Sequence, residues 1–407
     1  MIPKLDEYRK RVKITSDNNI KPGLAAIEHA MELLGSPQDN VRTIHVAGTN
    51  GKGSTIRFME SILLEAGLST GVFTSPAMID IHDQIRLDGE NCSEEELTKS
   101  FQTMKAAGLD GLLTDFELLT AAAFVTFDRV QPDVVLIECG MGGRFDSTNV
   151  ITPVVSVIPS IAIDHVGFLG DTIEEIAWHK AGIVKKGIPA VCGQLSEEAA
   201  RVIKEIAKET ESPLYLYGQD FWMNEESPEQ FHGSEIIELP SRKMKGPHQA
   251  NNAAVAIEAL LHSGVSLPCE AIQSGIAKAQ LAYRFEEVAP NLFFDGAHNP
   301  AAAKMLTSTI QQQFPGETVD FVIGMMGNKD VKATLDELIP VAHSFTFLDF
   351  NVPGAASAEV LYNQCSFGNK KVKNNNMLFK CNSKDLNKKK IVSGSLYLLN
   401  SLRSHII

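Results

Sequence analysis

The stretch TIHVAGTNGKGSTIRFMESILLEAG, residues 43–67, joins a short β-branched run to a helical pattern through a glycine-rich turn. Apolar residues recur at helical spacing after Ser54 and stop at Gly67, so the segment reads strand, loop, helix. Gly48, Gly51 and Gly53 let the backbone turn tightly and bring its N–H groups close to an anion. The helix that follows adds its positive N-terminal end. Lys52 supplies a point charge for phosphate, and Ser54 a hydroxyl able to reach a magnesium ion. The spacing is not the usual G-x-x-x-x-G-K-[ST], because Val46 stands where the first glycine belongs. A glycine-rich β–α turn with an incidental lysine is the plain alternative. Three glycines, a lysine and the Ser54–Thr55 pair in this setting favour phosphate binding.

Outward from that loop the same alternation continues. STGVFTS is the next strand, FELLTAAAFVTFDRV a long apolar helix, and DVVLIECG a buried strand after Pro132. TPVVSVIPSI and GIPAVCG repeat the theme with TIEEIAWHKAGIVKKG between them. Near-continuous apolar strands separated by helices predict an α/β fold with a mostly parallel sheet covered on both faces. A second series, NLFFDGAHNP, VDFVIGMMGNKD and SFTFLDFN, predicts a smaller α/β unit, with the boundary near Arg284. Residues 368–390 are crowded with lysine and asparagine and read as a solvated surface stretch rather than an anion-steering one.

Composition sets outer limits. A chain of 407 residues exceeds one ordinary core, so two domains are expected. No apolar run is long enough to cross a bilayer, and MIPKLDEYRKRVK has no apolar h-region, so neither membrane insertion nor a secretory signal is expected. The six cysteines are scattered, without a C-x-x-C pair, as in a reduced cytoplasmic protein. A net charge of −13 argues against bulk affinity for nucleic acid, although a local loop can still bind an anionic small molecule.

Two further segments carry chemistry. In DVVLIECGMGGRFDSTNV, residues 133–150, Glu138 ends an otherwise apolar strand, a costly place for an unpaired carboxylate. Strand C-termini are where open α/β sheets collect ligands, so a Mg2+ ion could pair that charge. A salt bridge, for example to Arg144, is the competing reading. Gly140, Gly142 and Gly143 form a flexible loop beyond it, and Asp146, Ser147 and Asn149 give that loop polar contacts suited to a flat heteroaromatic substrate. In residues 158–187, Asp164 and His165 sit past a second apolar strand, where His165 could meet Glu138. A lone histidine is more often structural, and imidazole is an unusual partner for Mg2+. Lys180, about four turns into the following helical region, lies among small and apolar residues, and spacing alone does not explain it.

Taken in order, PGLAAIEHAMELLGSPQ, HVAGTNGKGS, FTSPAMIDIHDQIRLDG, FELLTAAAF, ECGMGGRFDSTNV, IDHVGFLGDTIEEIAWHKAGI, GPHQANNAAVAIEAL, FFDGAHNP and VSGSLYLL give the chain a resemblance over nearly its whole length. It resembles the folylpolyglutamate synthase and dihydrofolate synthase family within the Mur-ligase group, whose phosphate loop reads G-T-N-G-K-G-[ST]. The resemblance implies a Mur-ligase-like P-loop domain over residues 1–284 and a smaller Rossmann-like α/β domain over residues 285–407 that closes over the site and binds glutamate. It implies that Gly48, Thr49, Asn50, Gly51, Lys52, Gly53 and Ser54 hold the ATP phosphates, and that Asn252, Arg284 and Asp295 close around the nucleotide. Ser54, Ser75, Glu138 and His165 would bind magnesium, and Lys180 matches the lysine that the family carries as a carbamate. That modification turns a cation into an anion able to support the metal. His298 would face the cleft beside Lys52 and Lys180 as a catalytic group. Phe116, Glu117, Phe145, Asp146 and Ser147 lie where the family holds its pterin substrate.

The chain departs from the family pattern at three places. Ala282-Tyr283-Arg284 replaces P-G-R, G-M-G-G-R-F-D-S-T-N replaces G-L-G-G-R-L-D-A-T-N, and Ala77-Met78 follow TSP in place of His-Leu. None removes a phosphate or metal residue. The implied activity is ATP- and Mg2+-dependent amide formation between a pteroate or reduced-folate carboxyl group and L-glutamate, through an acyl phosphate. Small-molecule partners, no nucleic acid, no membrane, a monomer and a cytoplasmic location are the matching expectations. Two rival functions fit part of these residues. A non-catalytic ATP-sensing module would need the loop but not Glu138, His165 and Lys180 together. A cell-wall peptide ligase of the same group would be expected to carry a nucleotide-sugar domain before residue 40.

Overall fold

A computed structural model describes residues 4–17, 23–77, 79–165, 167–226, 228–373 and 388–403. The chain divides into two compact units, Met1–Arg242 with Asn251–Ala279, and Lys243–Ala250 with Gln280–Ile407.

The first unit is built on an eight-stranded sheet. Its strands are β1 (Thr43–Val46), β2 (Thr70–Phe73), β3 (Ile85–Leu87), β4 (Glu90–Asn91), β5 (Val134–Glu138), β6 (Val155–Ile158), β7 (Ala190–Cys192) and β8 (Leu214–Leu216), in the order β4-β3-β2-β5-β1-β6-β7-β8. Pairing is parallel from β2 to β8, and antiparallel only at β2–β3 and β3–β4. Every residue of β1, β5 and β6 is buried, the pattern expected of strands with helices on both faces. The β1–β5 register sets Val46 beside Glu138, so the phosphate-type loop and the strand-end carboxylate leave the same edge of the sheet. A small antiparallel sheet follows, with strands β9 (Trp222–Asn224), β10 (Glu229–His232) and β11 (Ile236–Leu239).

The helix Lys52–Glu65 is fixed by contacts that leave little freedom. Glu60 on it is fully buried yet paired, 2.7 Å from Arg57 and 2.8 Å from Arg86 on β3. The helix Cys269–Lys278 approaches so closely that a Cβ at Gly275 would lie 2.5 Å from the Ile62 Cα. Glu65 then receives Lys278 at 2.7 Å and Ser274 at 2.6 Å.

The second unit holds a six-stranded sheet of β12 (Glu286–Ala289), β13 (Leu292–Phe294), β14 (Val319–Ile323), β15 (Ala342–Leu348), β16 (Lys370–Lys373) and β17 (Lys390–Ser393), ordered β12-β13-β17-β14-β15-β16. All its pairs are parallel except β12–β13. Stacked Phe321, Phe345 and Phe347 form the centre of its core. The lysine-rich stretch begins with β16, whose lysines are half-buried or exposed on an edge strand, a position where charge blocks further pairing. Residues 374–387 of that stretch lie outside the described residues.

Candidate active site

The loop after β1 caps the helix Lys52–Glu65 with Gly51, whose φ of 85° is open to glycine at no steric cost. A Cβ there would also lie 2.5 Å from the Asn252 side-chain oxygen, so Asn252 sits directly against the loop. The segment after β6 braces the loop from its other side. Thr49 N–H donates to the Ser160 carbonyl at 2.9 Å, Asn50 N–H donates to Ser160 Oγ at 3.0 Å, and Thr49 Oγ1 donates to the Ala162 carbonyl at 3.0 Å. Ser160 is a site-shaping residue that the sequence reading missed. Ser54 is buried in the first turn of the helix.

Lys52 reaches back over this loop, donating to the Gly48 carbonyl at 3.1 Å with its Nζ 3.8 Å from Glu138 Oε1. The carboxylate at the end of β5 is therefore paired with Lys52, not with Arg144, which donates to the Trp178 carbonyl instead. Ser75 N–H also points at Glu138, 3.4 Å from Oε2. His165 is exposed with a φ of 55°, and its backbone N–H donates to Asp164.

Lys180 is the last residue of a two-turn helix, Ile173–Lys180, rather than four turns along one. Its side chain is 3% exposed, and its pKa is pushed down to about 7, first by desolvation and then by repulsion from Lys52. A far larger share of that amine is neutral near pH 7 than of an ordinary lysine. Its turn dovetails with the glycine loop after β5. A Cβ at Gly143 would lie 2.9 Å from the His179 and Lys180 carbonyls, and one at Gly182 would lie 2.3 Å from Arg144 Cβ.

The residues assigned to a flat substrate fall into two kinds. Phe116 and Phe145 present rings. Phe116 packs against Gly140, where a Cβ would lie 2.6 Å from its Cζ, and Phe145 is exposed beside Trp178 and His179. Arg144 lies 4.0 Å over the Trp178 ring. Trp178, half exposed, is a second residue that sequence reasoning missed. Glu117 and Asp146 turn into their own backbone. Glu117 Oε2 accepts from Thr114 N–H at 2.8 Å and Thr114 Oγ1 at 2.7 Å, completing a capping box. Asp146 accepts from Met141 N–H at 2.8 Å and Thr148 Oγ1 at 2.6 Å, with Ser147 opening the short turn Ser147–Val150 behind it.

Arg284, Asp295 and His298 belong to the second unit. Asp295 is buried and accepts from the Phe285 and Ala297 amides at 3.0 and 2.9 Å. Burial raises its pKa, and Arg284 opposes that rise. Tyr283 and Phe285, either side of Arg284, both hold positive φ (63° and 48°), the kind of backbone strain that gathers at functional positions. His298 Nδ1 lies 2.9 Å from the Gly296 carbonyl.

Residues 46–260 match the Mur ligase middle domain, and residues 279–404 match the dihydrofolate synthetase C-terminal domain. A Bacillus subtilis (strain 168) protein named dihydrofolate synthase/folylpolyglutamate synthase is 37% identical over 410 residues, covering 95% of this chain and 95% of its own. This chain belongs to the folylpolyglutamate synthase/dihydrofolate synthase family of Mur ligases. The Escherichia coli (strain K12) family member is 37% identical over 349 residues, 83% of this chain and 80% of its own. The fold matches E. coli FolC in complex with DHPP and ADP at a TM-score of 0.90 and 32% identity, over 99% of this chain and 97% of that one. It also matches a bifunctional family member with Mn, AMPPNP and L-glutamate bound, at a TM-score of 0.86, 31% identity and 95% coverage of each chain.

Proposed function

We propose that this chain joins L-glutamate to the carboxyl group of a dihydropteroate or reduced folate, at the expense of ATP. Its family membership supports the reaction class. The observation that carries the residue assignment is the cluster at one sheet edge: the glycine loop, Lys52, Glu138 and the buried, near-neutral Lys180.

A carboxylate is a poor electrophile, so one of its oxygens first attacks the γ-phosphorus. The bond to the β–γ bridging oxygen breaks, ADP departs, and an acyl phosphate remains. The amine of glutamate then attacks the acyl carbon, loses a proton, and expels inorganic phosphate. In this reading the amides of Gly48–Ser54 and the Lys52 ammonium hold the phosphoryl oxygens as charge develops on them. Asn252, against the loop, and Arg284 and Asp295 on the second unit are assigned to the nucleotide, with His298 as a further reacting-site group.

Hydroxyl and carboxylate oxygens from Ser54, Ser75 and Glu138 are the donor class that suits Mg2+ alongside substrate phosphates, and His165 is assigned as a fourth ligand. Among the described residues no three His, Cys, Asp or Glu side chains gather as a metal cage. When bound, Mg2+ would neutralise phosphate charge. Lys180 is assigned a carbamate, because its neutral amine can add to CO2.

Phe116, Phe145, Ser147 and the loop held by Asp146 are assigned to the pterin, with Glu117 acting through the helix start it caps. Residues 285–407 are assigned the closing and glutamate-binding role. No described helix is long and apolar enough to cross a membrane. A cytoplasmic monomer that binds no nucleic acid completes the proposal.

Phosphate release should be measured with ATP, Mg2+ and L-glutamate, with dihydropteroate and tetrahydrofolate supplied separately. Release that depends on one or both supports the reading and separates the two substrates. ATP turnover indifferent to both would overturn it in favour of an ATP-sensing module.

A further inference from the structure

His45 lies in the middle of β1, fully buried, three residues before the phosphate loop opens at Gly48. Its Nε2 is 2.9 Å from Thr148 Oγ1 and 3.1 Å from Cys139 Sγ. Thr148 Oγ1 has one proton, and the Asp146 carboxylate at 2.6 Å claims it over the Cys139 sulfur at 3.5 Å. Towards His45 the hydroxyl can therefore only accept, which places the imidazole proton on Nε2. Nδ1 is buried without a hydrogen-bond partner, tolerable for a lone pair and costly for an N–H. Desolvation, with Lys185 adding to it, holds the His45 pKa down at about 3, so the ring is neutral at ordinary pH.

Asp146 closes the chain. Its partners, the Thr148 hydroxyl and the Thr148, Met141 and Gly140 amides, are all donors. They favour the carboxylate form against the burial that raises its pKa. The result is a directed relay from His45 Nε2–H to Thr148 Oγ1 to Asp146, and from there to the amides that shape residues 139–148.

We propose that His45 is a positioning residue for the acceptor substrate, anchoring the loop that carries Phe145 and Ser147 to the strand that carries the phosphate loop. It touches neither substrate. It sets the geometry of the acceptor-side loop relative to the phosphate loop through one hydrogen bond that requires a donor at the Nε2 position. The inference rests on the ligase reading for its kinetic consequence, and on the hydrogen-bond geometry alone for the anchoring.

The competing role is a histidine that merely fills space, and two amides separate it from the relay. The side-chain nitrogen of glutamine reaches the place of Nε2, whereas that of asparagine falls near Nδ1. His45→Gln should therefore keep the donor to Thr148 and His45→Asn should lose it. Thr148→Val breaks the relay at near-constant volume, and Thr148→Ser preserves it.

The expected result is a rise of about tenfold or more in the KM of the acceptor that wild type uses, dihydropteroate or tetrahydrofolate, for His45→Asn and Thr148→Val, with ATP KM within about twofold of wild type. His45→Gln and Thr148→Ser should stay close to wild type. Amide hydrogen exchange of residues 139–148 should accelerate in the first pair and not in the second. Equal behaviour of His45→Gln and His45→Asn, or parallel rises in both KM values, would overturn the proposal. If His45→Asn does not fold, the Thr148 pair decides by the same criteria. Wild-type protein whose turnover depends on neither dihydropteroate nor tetrahydrofolate would sink the ligase reading, while the exchange comparison would still decide the anchoring.

Discussion

Replacing Lys180 by methionine tests the most unusual electrostatic feature of the site. The lysine pKa falls from 10.5 to about 7 in the folded chain. At about 1.36 kcal/mol per unit, that places a cost of about 5 kcal/mol on the buried ammonium. Because the folded pKa lies below the unfolded one, the cost is fully present below pH 7. It shrinks as pH rises from 7 towards 10.5 and is absent above. At pH 6.5 without CO2, Lys180→Met should therefore be more stable than wild type, with up to about 5 kcal/mol relieved. CO2 changes the comparison. The neutral amine attacks CO2 and sheds a proton, and the carbamate anion converts repulsion from Lys52 into attraction. Adding bicarbonate at pH 7.5 should raise the melting temperature of wild type, by mass action on the folded state, and leave Lys180→Met unmoved. Carbon-13-labelled bicarbonate should give a carbamate resonance in wild type only. The variant should lose ligase turnover despite its stability, and short carboxylic acids should restore part of it. A wild type whose melting ignores bicarbonate, which shows no carbamate signal, and whose Lys180→Met form keeps turnover would refute this reasoning.

Three other substitutions probe separate layers of the site. Lys52→Ala should fold normally yet lose at least about a hundredfold in turnover, roughly 3 kcal/mol of transition-state stabilisation, and near-normal turnover would remove the loop from the mechanism. Glu117→Ala opens the capping box of the helix Asp115–Val130 and should cost about 1 kcal/mol in urea unfolding. A large rise in pteroate KM without loss of stability would instead make Glu117 a direct substrate ligand. Gly182→Ala drives a Cβ to within 2.3 Å of Arg144 Cβ, so it should cost about 1–3 kcal/mol and impair turnover. Unchanged melting would show that the two loops are not interlocked.

The parallel core was readable because buried strands announce themselves as unbroken apolar runs. TIHV, VVLIE and VSVI lie centrally in the first sheet, and VDFVI and AHSFTFL in the second. WMN, EQFH and IIEL left no such signal. They form a short antiparallel sheet whose polar residues alternate outwards, at a length where periodicity and loop composition look alike. At the site, chain-local chemistry was legible and lateral chemistry was not. The glycine loop and Glu138 announce themselves by type and position. Which base pairs with Glu138, which face Trp178 shares with Arg144, and what His45 touches depend on strand order. The turn of Glu117 into its own helix start was there to be read in TDFE, four residues with capping-box spacing.

The inward turn of the acidic side chains changes how selectivity would be achieved under the ligase reading. Asp146 gives both its oxygens to loop donors, and Glu117 Oε2 is committed to Thr114. A hydrogen bond from a pterin to Asp146 would have to compete with three backbone amides and the Thr148 hydroxyl already bound in a buried site, an exchange that gains little net energy. Phe145 and Trp178 face solvent and Phe116 is half covered, so under that reading rings, beside the partly exposed Ser147, are what would meet a planar partner. Aromatic rings impose offset or edgewise geometry on a planar partner without fixing its hydrogen-bond pattern. Such a wall tolerates changes of oxidation state in a heterocycle better than a wall of carboxylates would. Under that reading the carboxylates hold the helix start and the loop that carry the rings, so loosening those anchors should show up in the acceptor KM before it shows up in ATP binding.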